Sequence, residues 1–277
     1  VKLDPDVMAE TYLVRHLAPL FDLYVNDAFA TAHRAAPSMI AFQRHLPSAA
    51  GLLLATEIEG LNALLDEPAR PAVFVLGGLK VSDGFSMMGR VLSDGLADRV
   101  LTAGVLGELF LMADGVDVGR PTEAFMADRD LTRFVDEARE LLSEYRDGIA
   151  VPVDVAVVVD GSRREMSVAE LPTNRLIVDI GASTITSYET VISAAGTIFV
   201  NGPAGAYEHP GSDVGTRRLW EAVAASPAMT AIGGGDTVAS ASTYIDLDDI
   251  TFVSTGGGAL IRYVSGQPLP LFEAFGG

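Results

Sequence analysis

The sequence predicts an α/β protein built on a doubly wound, mostly parallel sheet, and three observations carry that reading. Short apolar or β-branched runs recur without the polar–apolar alternation of a half-exposed strand, which suits strands covered on both faces. These runs end in glycine-containing turns, with helical patterns between them. The 277 residues, 49% apolar, suffice for one large or two ordinary domains. In such sheets ligands sit at the carboxyl ends of the strands, and those ends carry the glycines here.

In chain order, Pro5 suits the first turn of a helix reaching about Leu17. Residues 23–25 read as a short strand, 26–34 as a polar loop, and a helix after Pro37 is closed by Pro47. One strand and two helices are too little for a domain, so a boundary falls near residue 50. A long helix over 51–65 (GLLLATEIEGLNALL) leads into the α/β array. Strands are expected at 72–78, 99–104, 153–161, 175–181, 197–202, 229–234 and 251–256, with helices over 131–145, 183–194, 213–225 and 238–244.

Composition excludes several chemistries. The absence of cysteine removes disulfides, thiolate zinc sites, iron–sulfur clusters and cysteine nucleophiles. No apolar run approaches the ~20 residues that span a bilayer, and residues 1–4 (VKLD) are no signal peptide, so a soluble, cytoplasmic protein with no membrane association is expected. A net charge of −18 argues against nucleic acid as a partner. Any anion must be met by locally aimed groups. Only Lys2 and Lys80 are lysine, against 17 arginines. The chain starts without Met inside a helical pattern, so a fragment is expected.

Four segments carry chemistry. In IGGGDT (232–237) a strand runs into three glycines and a helix start, where backbone N–H groups and the helix dipole favour phosphate. Asp236 is placed to meet Mg²⁺ and Thr237 to meet a phosphate; the bland alternative makes either residue a helix N-cap. STGGGA (254–259) repeats the geometry, and taken alone stays open between phosphate contact and close packing. In LGGLKVSD (76–83) a rare lysine, Lys80, follows a double glycine at a strand end; a compact ammonium suits a moving phosphoryl group. NGPAGAYE (201–208) offers Asn201 to a phosphate and Glu208 to ribose hydroxyls, although Asn-Gly-Pro alone is only a turn signal. His33 and Arg34 offer a further anion site, Arg34 as a bidentate ligand, although a His-Arg pair on its own is more often surface decoration. There is no G-x-x-x-x-G-K-[ST], no G-x-S-x-G and no His pair at metal-ligand spacing.

VNDAFATAHR (25–34), GLLLATEIEGL (51–61), LGGLKVSD, DIGASTI (179–185), NGPAGAYE, IGGGDT and STGGGA, in this order, resemble the phosphoglycerate kinase family over about residues 3–271. AHRAAPS (32–38) resembles its archaeal branch. The resemblance implies a Rossmann-like C-terminal lobe plus a remnant of an α/β N-terminal lobe. Residues 1–48 would be the triose-phosphate-binding remnant, 49–66 an interdomain helix, 67–262 the nucleotide-binding lobe, and 263–277 a segment returning to the N-terminal lobe. It implies reversible phosphoryl transfer between 1,3-bisphosphoglycerate and ADP, giving 3-phosphoglycerate and ATP in glycolysis and gluconeogenesis, by a cytoplasmic enzyme that is a monomer at full length.

Position by position, it implies His33 and Arg34 at the triose phosphate, and Lys80 with Gly233, Gly234 and Gly235 as the catalytic set at the transferred group. Gly77, Gly78 and Gly104 would surround the adenine. Asn201 would face the nucleotide phosphates, Glu208 the ribose, Asp236 the Mg²⁺ carried by ADP or ATP, and Thr237 a phosphate. The family is longer, and the match begins past its first third, so the chain is expected to bind nucleotide but to be inactive. Gly84 and Ala36 stand where many members have Lys and His, and Ala103 replaces a glycine. These departures keep a non-catalytic nucleotide-binding relative as an alternative. An NAD-dependent oxidoreductase is a weaker one, since residues 102–107 (TAGVLG) lack the first glycine of the dinucleotide fingerprint. Residues 1–48 and the stretch Leu269-Pro270-Leu271-Phe272 are expected to expose apolar surface.

Overall fold

The computed structural model describes residues 4–276; Lys2 lies outside the described residues. The chain divides into two units, one running up to Leu65 and resuming at Ser254, the other covering Asp66–Val253. Residues 254–262, grouped with the nucleotide-binding lobe from the sequence, thus fall with the first unit.

The first unit begins with α1 (Pro5–Ala9) and α2 (Tyr12–Leu17), where the sequence suggests one helix. Thr11 divides it: its N–H and hydroxyl both bond the Met8 carbonyl, at 3.1 and 2.7 Å, and close the first turn early. Strand β1 (Tyr24–Asn26) follows, and the expected polar loop turns Phe29 and Ala32 fully inward. The helix after Pro37 shrinks to α3 (Pro37–Ile40) and a 3₁₀ turn. Strand β2 (Ser48–Ala50) pairs in parallel with β1, and α4 (Leu52–Leu65) buries Leu54, Glu57, Leu61, Leu64 and Leu65, the spacing of a one-sided helix.

The second unit opens on β3 (Ala72–Leu76), buried throughout, followed by α5 (Val81–Ser93), β4 (Arg99–Thr102), α6 (Gly104–Ala113), α7 (Arg120–Ala127), α8 (Val135–Tyr145) and β5 (Ile149–Ala150). Then β6 (Asp154–Val159), β7 (Ser162–Ser167) and β8 (Ile177–Ile180) form a separate antiparallel sheet with β6 in the middle. The chain returns through α9 (Ala182–Ser193), β9 (Thr197–Asn201), α10 (Val214–Ala224), β10 (Met229–Gly233), α11 (Gly235–Tyr244) and β11 (Phe252–Ser254). The six-stranded sheet has the order β11-β10-β9-β3-β4-β5, and the pairs from β10 to β5 are parallel.

Strand order therefore reverses between β3 and β9, and that reversal opens a crevice at their carboxyl ends. The sequence places residues 153–161 and 175–181 in the parallel sheet, but the two-residue turn Asp160-Gly161, with φ of 50° and 75°, joins only antiparallel neighbours. The core on one face of the large sheet includes Val75, Leu101, Ile198 and Ile232 beneath Tyr188 and Trp220. Both aromatic tips find acceptors: Trp220 Nε1 donates to Ser240 Oγ at 3.1 Å and Tyr188 Oη to the Thr102 carbonyl at 2.8 Å.

The first unit is completed by α12 (Gly258–Val264) and α13 (Pro270–Ala274). Here the expected apolar exposure fails for Leu269 and Leu271. They are 3% and 0% exposed, because the Leu271 N–H bonds the Ala32 carbonyl at 3.2 Å and carries both side chains inward. Among the early residues Val7, Tyr12, Leu20, Phe21 and Leu23 are indeed exposed.

Candidate functional site

At the crevice, three loops are laced together through their main chains. The N–H groups of Gly77, Gly78 and Gly104 donate to the carbonyls of Asn201, Pro203 and Ala204 at 2.9, 2.8 and 2.9 Å. Gly202 (φ 90°) lies so close that a Cβ there would collide with the Gly77 carbonyl. Backbone can approach backbone in this way only without side chains. Gly77, Gly78 and Gly104, expected around an adenine, are thus brought to one place. Their N–H groups are spent within the protein, so what they offer a ligand is a close-fitting wall.

The IGGGDT loop keeps more of its backbone open. Strand β10 ends at Gly233, Gly234 takes φ 96°, and α11 starts at Gly235, where a Cβ would meet nothing within 4 Å. The first turn of a helix leaves N–H groups without intrahelical partners, which suits an anion. Two residues expected on phosphate also make internal bonds. Asn201 Nδ2 donates to the Gly233 carbonyl at 2.9 Å, and Thr237, only 2% exposed, accepts the Gly202 N–H at 2.9 Å. They sew the ends of β9 and β10 together.

Lys80 and Asp236 meet in front of these loops. Lys80 Nζ lies 2.9 Å from Asp236 Oδ2, and both side chains are well exposed. Glu208 is exposed on the turn after Gly205. Beside it, Tyr207 packs edge-on against Tyr244, and burial, then the Glu208 and Asp236 carboxylates, push its phenol above the usual range. Both carboxylates therefore act on one ring.

Other supports escaped the sequence reading. Asp179, 3% exposed, accepts from Arg163 Nη1 and the Gly215 N–H, both at 2.8 Å, while Arg163 also donates to the Gly211 and Ile180 carbonyls. Burial pushes the Asp179 carboxyl up to about 6, against the pull of its donors and the Arg163 charge. The pair anchors the 205–215 loop that carries Glu208. Asp154 receives the N–H groups of Ser183 and Thr184 at 2.8 Å and starts α9. DIGASTI held a readable clue to Asp179; Arg163, in a hairpin of polar residues, gave none.

His33 and Arg34 belong to the first unit. Arg34 is exposed; His33 is half-buried, and burial, then the charges of Arg34 and Arg262, lower its pKa. Arg262 Nη1 donates to the His33 carbonyl at 3.2 Å. The second glycine triplet is close-packed at its ends, since Cβ atoms on Gly256 and Gly258 would press on the Phe29 ring and the His33 imidazole. Glu57, 2% exposed, was missed: it accepts from Ser254 Oγ and the Thr255 N–H at 2.7 and 2.6 Å and fixes the approach to that triplet.

Among the described residues no three acidic or histidine side chains gather to hold a metal. Asp236 is a single exposed carboxylate, a donor set that fits Mg²⁺ arriving on phosphates, which needs only one or two protein carboxylates. Among the described residues no helix is long and apolar enough to cross a membrane.

A family model described as phosphoglycerate kinase matches residues 3–267. The chain is 44% identical over 274 residues to the phosphoglycerate kinase of Methanopyrus kandleri, covering 99% of this chain and 68% of that protein. To that of Methanobacterium bryantii it is 42% identical over 273 residues, covering 99% and 66%. It is similar to the crystal structure of phosphoglycerate kinase from Pyrococcus horikoshii OT3, with a TM-score of 0.91 and 37% identity over 100% of this chain and 69% of that one. The chain spans about two thirds of the length of the curated relatives it matches. Sequence and fold agree along almost every residue, and the chain belongs to the phosphoglycerate kinase family, in the company of archaeal members.

Proposed function

We propose that this chain carries the nucleotide site, and part of the phosphoglycerate site, of a phosphoglycerate kinase. The reaction is reversible phosphoryl transfer between 1,3-bisphosphoglycerate and ADP, giving 3-phosphoglycerate and ATP, in cytoplasmic glycolysis and gluconeogenesis. The observation that supports it most is the meeting of Lys80 and Asp236 in front of the IGGGDT loop, at a crevice walled by Gly77, Gly78 and Gly104. In this reading the adenine lies against that wall and Glu208 accepts from the ribose. The first turn of α11 receives the phosphates, helped by Asn201 and Thr237 holding Gly233 and Gly202 in place. Lys80 follows the transferred group. Mg²⁺ bound to the nucleotide and to Asp236 would neutralise phosphate charge.

An oxygen of the ADP β-phosphate attacks the acyl phosphate in line, and 3-phosphoglycerate leaves as a carboxylate. Positioning and charge neutralisation do this work without a covalent enzyme intermediate. Of the basic groups expected on the triose phosphate, the 277 residues hold His33 and Arg34. The chain alone therefore binds Mg-ADP without turnover, and the full-length enzyme acts as a monomer. Calorimetry tests this: Mg-ADP should bind in the micromolar-to-millimolar range and Asp236→Ala should weaken it. A folded chain that binds no Mg-ADP would refute the reading.

A second reading, a nucleotide-binding relative without kinase activity, draws on Gly84. A Cβ there would stand 3.0 Å from Leu106 Cδ2, so a lysine at this position would require the end of the Leu106 side chain to give way. A chimera joining residues 1–277 to the preceding third of the Methanopyrus kandleri relative separates the two. Turnover supports the kinase; ADP binding without ATP formation supports the relative.

A further inference from the structure

We infer that Asp236 is the resting counter-ion of Lys80, and that a divalent cation arriving with a nucleoside diphosphate replaces the ammonium at that carboxylate and frees Lys80 for the phosphoryl group. The inference rests on the nucleotide reading above and goes beyond it by giving Lys80 two positions.

Topology makes the contact informative. Lys80 follows β3 and Asp236 follows β10, and these strands are not neighbours, because β9 lies between them. To touch at 2.9 Å, the two side chains must bridge the carboxyl end of β9, over Asn201 and Gly202. That is where phosphates on the first turn of α11 would pass. Asp83, the other acid that senses Lys80, is held above the usual carboxylate range by its burial and is the poorer partner. The Lys80 and Asp236 side chains are 62% and 70% exposed, so water and salt screen the pair and leave it easy to exchange. A doubly charged cation outcompetes an ammonium for a single carboxylate and repels the one it displaces.

Residue choice agrees. The chain uses arginine at 17 of its 19 basic positions, yet has lysine here. A guanidinium would grip the carboxylate in a two-point fork, whereas an ammonium on a flexible stem lets go and swings.

The scarcity of lysine makes the test clean. Lysine labelled with ¹³C at the ε carbon gives signals from Lys2 and Lys80, and a Lys80→Arg sample assigns them. In ligand-free protein, Asp236→Asn should shift the Lys80 signal; magnesium with ADP should shift it in the wild type, while potassium chloride of equal ionic strength should not reproduce the change. An Asp236→Asn chain whose Lys80 signal stays in place would show that the pair does not exist in solution and would overturn the inference. So would Mg-ADP that binds by calorimetry while the Lys80 signal is unmoved, and in that case the nucleotide reading survives. A folded chain with no Mg-ADP binding removes both.

Discussion

Glu108 offers a direct test of how burial shapes this protein. It sits on α6, four residues after Gly104, 8% exposed, with no hydrogen-bond or ion-pair partner among the described residues. Burial alone pushes its carboxyl from 4.5 up to about 8. Between those values the folded chain keeps the proton and the unfolded chain has released it, so stability falls as pH rises through that window and levels off above it. At about 1.4 kcal/mol per pH unit the full window is worth roughly 5 kcal/mol, and relaxation of the site reduces that to a few kcal/mol. Glu108→Gln keeps the shape and removes the titration. The variant should match the wild type near the lower end of the window and exceed it by a few kcal/mol near the upper end. Urea unfolding at a series of pH values measures this, with Trp220, the sole tryptophan and 2% exposed, reporting on the same unit. Asp179 titrates in both proteins and cancels in the difference. Stability curves that run parallel across the window would refute the reasoning.

Three further substitutions address the scaffold. Gly202→Ala forces a side chain into φ 90° and against the Gly77 carbonyl, and should cost at least about 1–3 kcal/mol, read as a lower thermal midpoint. Arg163→Met strands the buried Asp179 carboxylate, with an expected loss of about 3–5 kcal/mol near neutral pH. Without the Arg163 charge and hydrogen bond the Asp179 carboxyl moves further above about 6, so that loss should shrink as pH falls towards about 6 and level off below it, where both proteins carry the proton. Leu271→Ala should destabilise the first unit by about 2–5 kcal/mol and raise dye binding, because Leu271 is fully buried.

The sequence was most legible where structure is local. Strand positions in the second unit follow from uniform apolar runs ending in glycine, and α4, α8 and α10 from their periodicity. It was least legible where the pattern is uniform or the partner remote. Eight of the ten residues of α6 are buried, so it shows no polar face to read. Strand β7 reads SRREMS, and only its pairing with β6 makes it a strand. The burial of Leu269 and Leu271 depends on Ala32, more than two hundred residues earlier.

The site divides along the same line. Gly77, Gly78, Gly104, Lys80 and the IGGGDT loop could be named because glycines at strand ends are a local signal, but which N–H groups stay free depends on the register that sets Leu76 opposite Asn201. That register turns Asn201 into a brace, donating to the Gly233 carbonyl before any ligand arrives. A side chain serving phosphate alone and one serving the loop differ in a measurable way. Asn201→Ala should cost the ligand-free protein about 1 kcal/mol, the usual net worth of such a bond, and should also weaken Mg-ADP through the displaced glycines. Asn201→Asp, which cannot donate from its side chain and sets a carboxylate oxygen against the Gly233 carbonyl, should cost at least as much without a cavity. Unchanged ligand-free stability in both variants, with binding lost, would mean that the bond to Gly233 holds nothing, and that Asn201 acts only on the ligand.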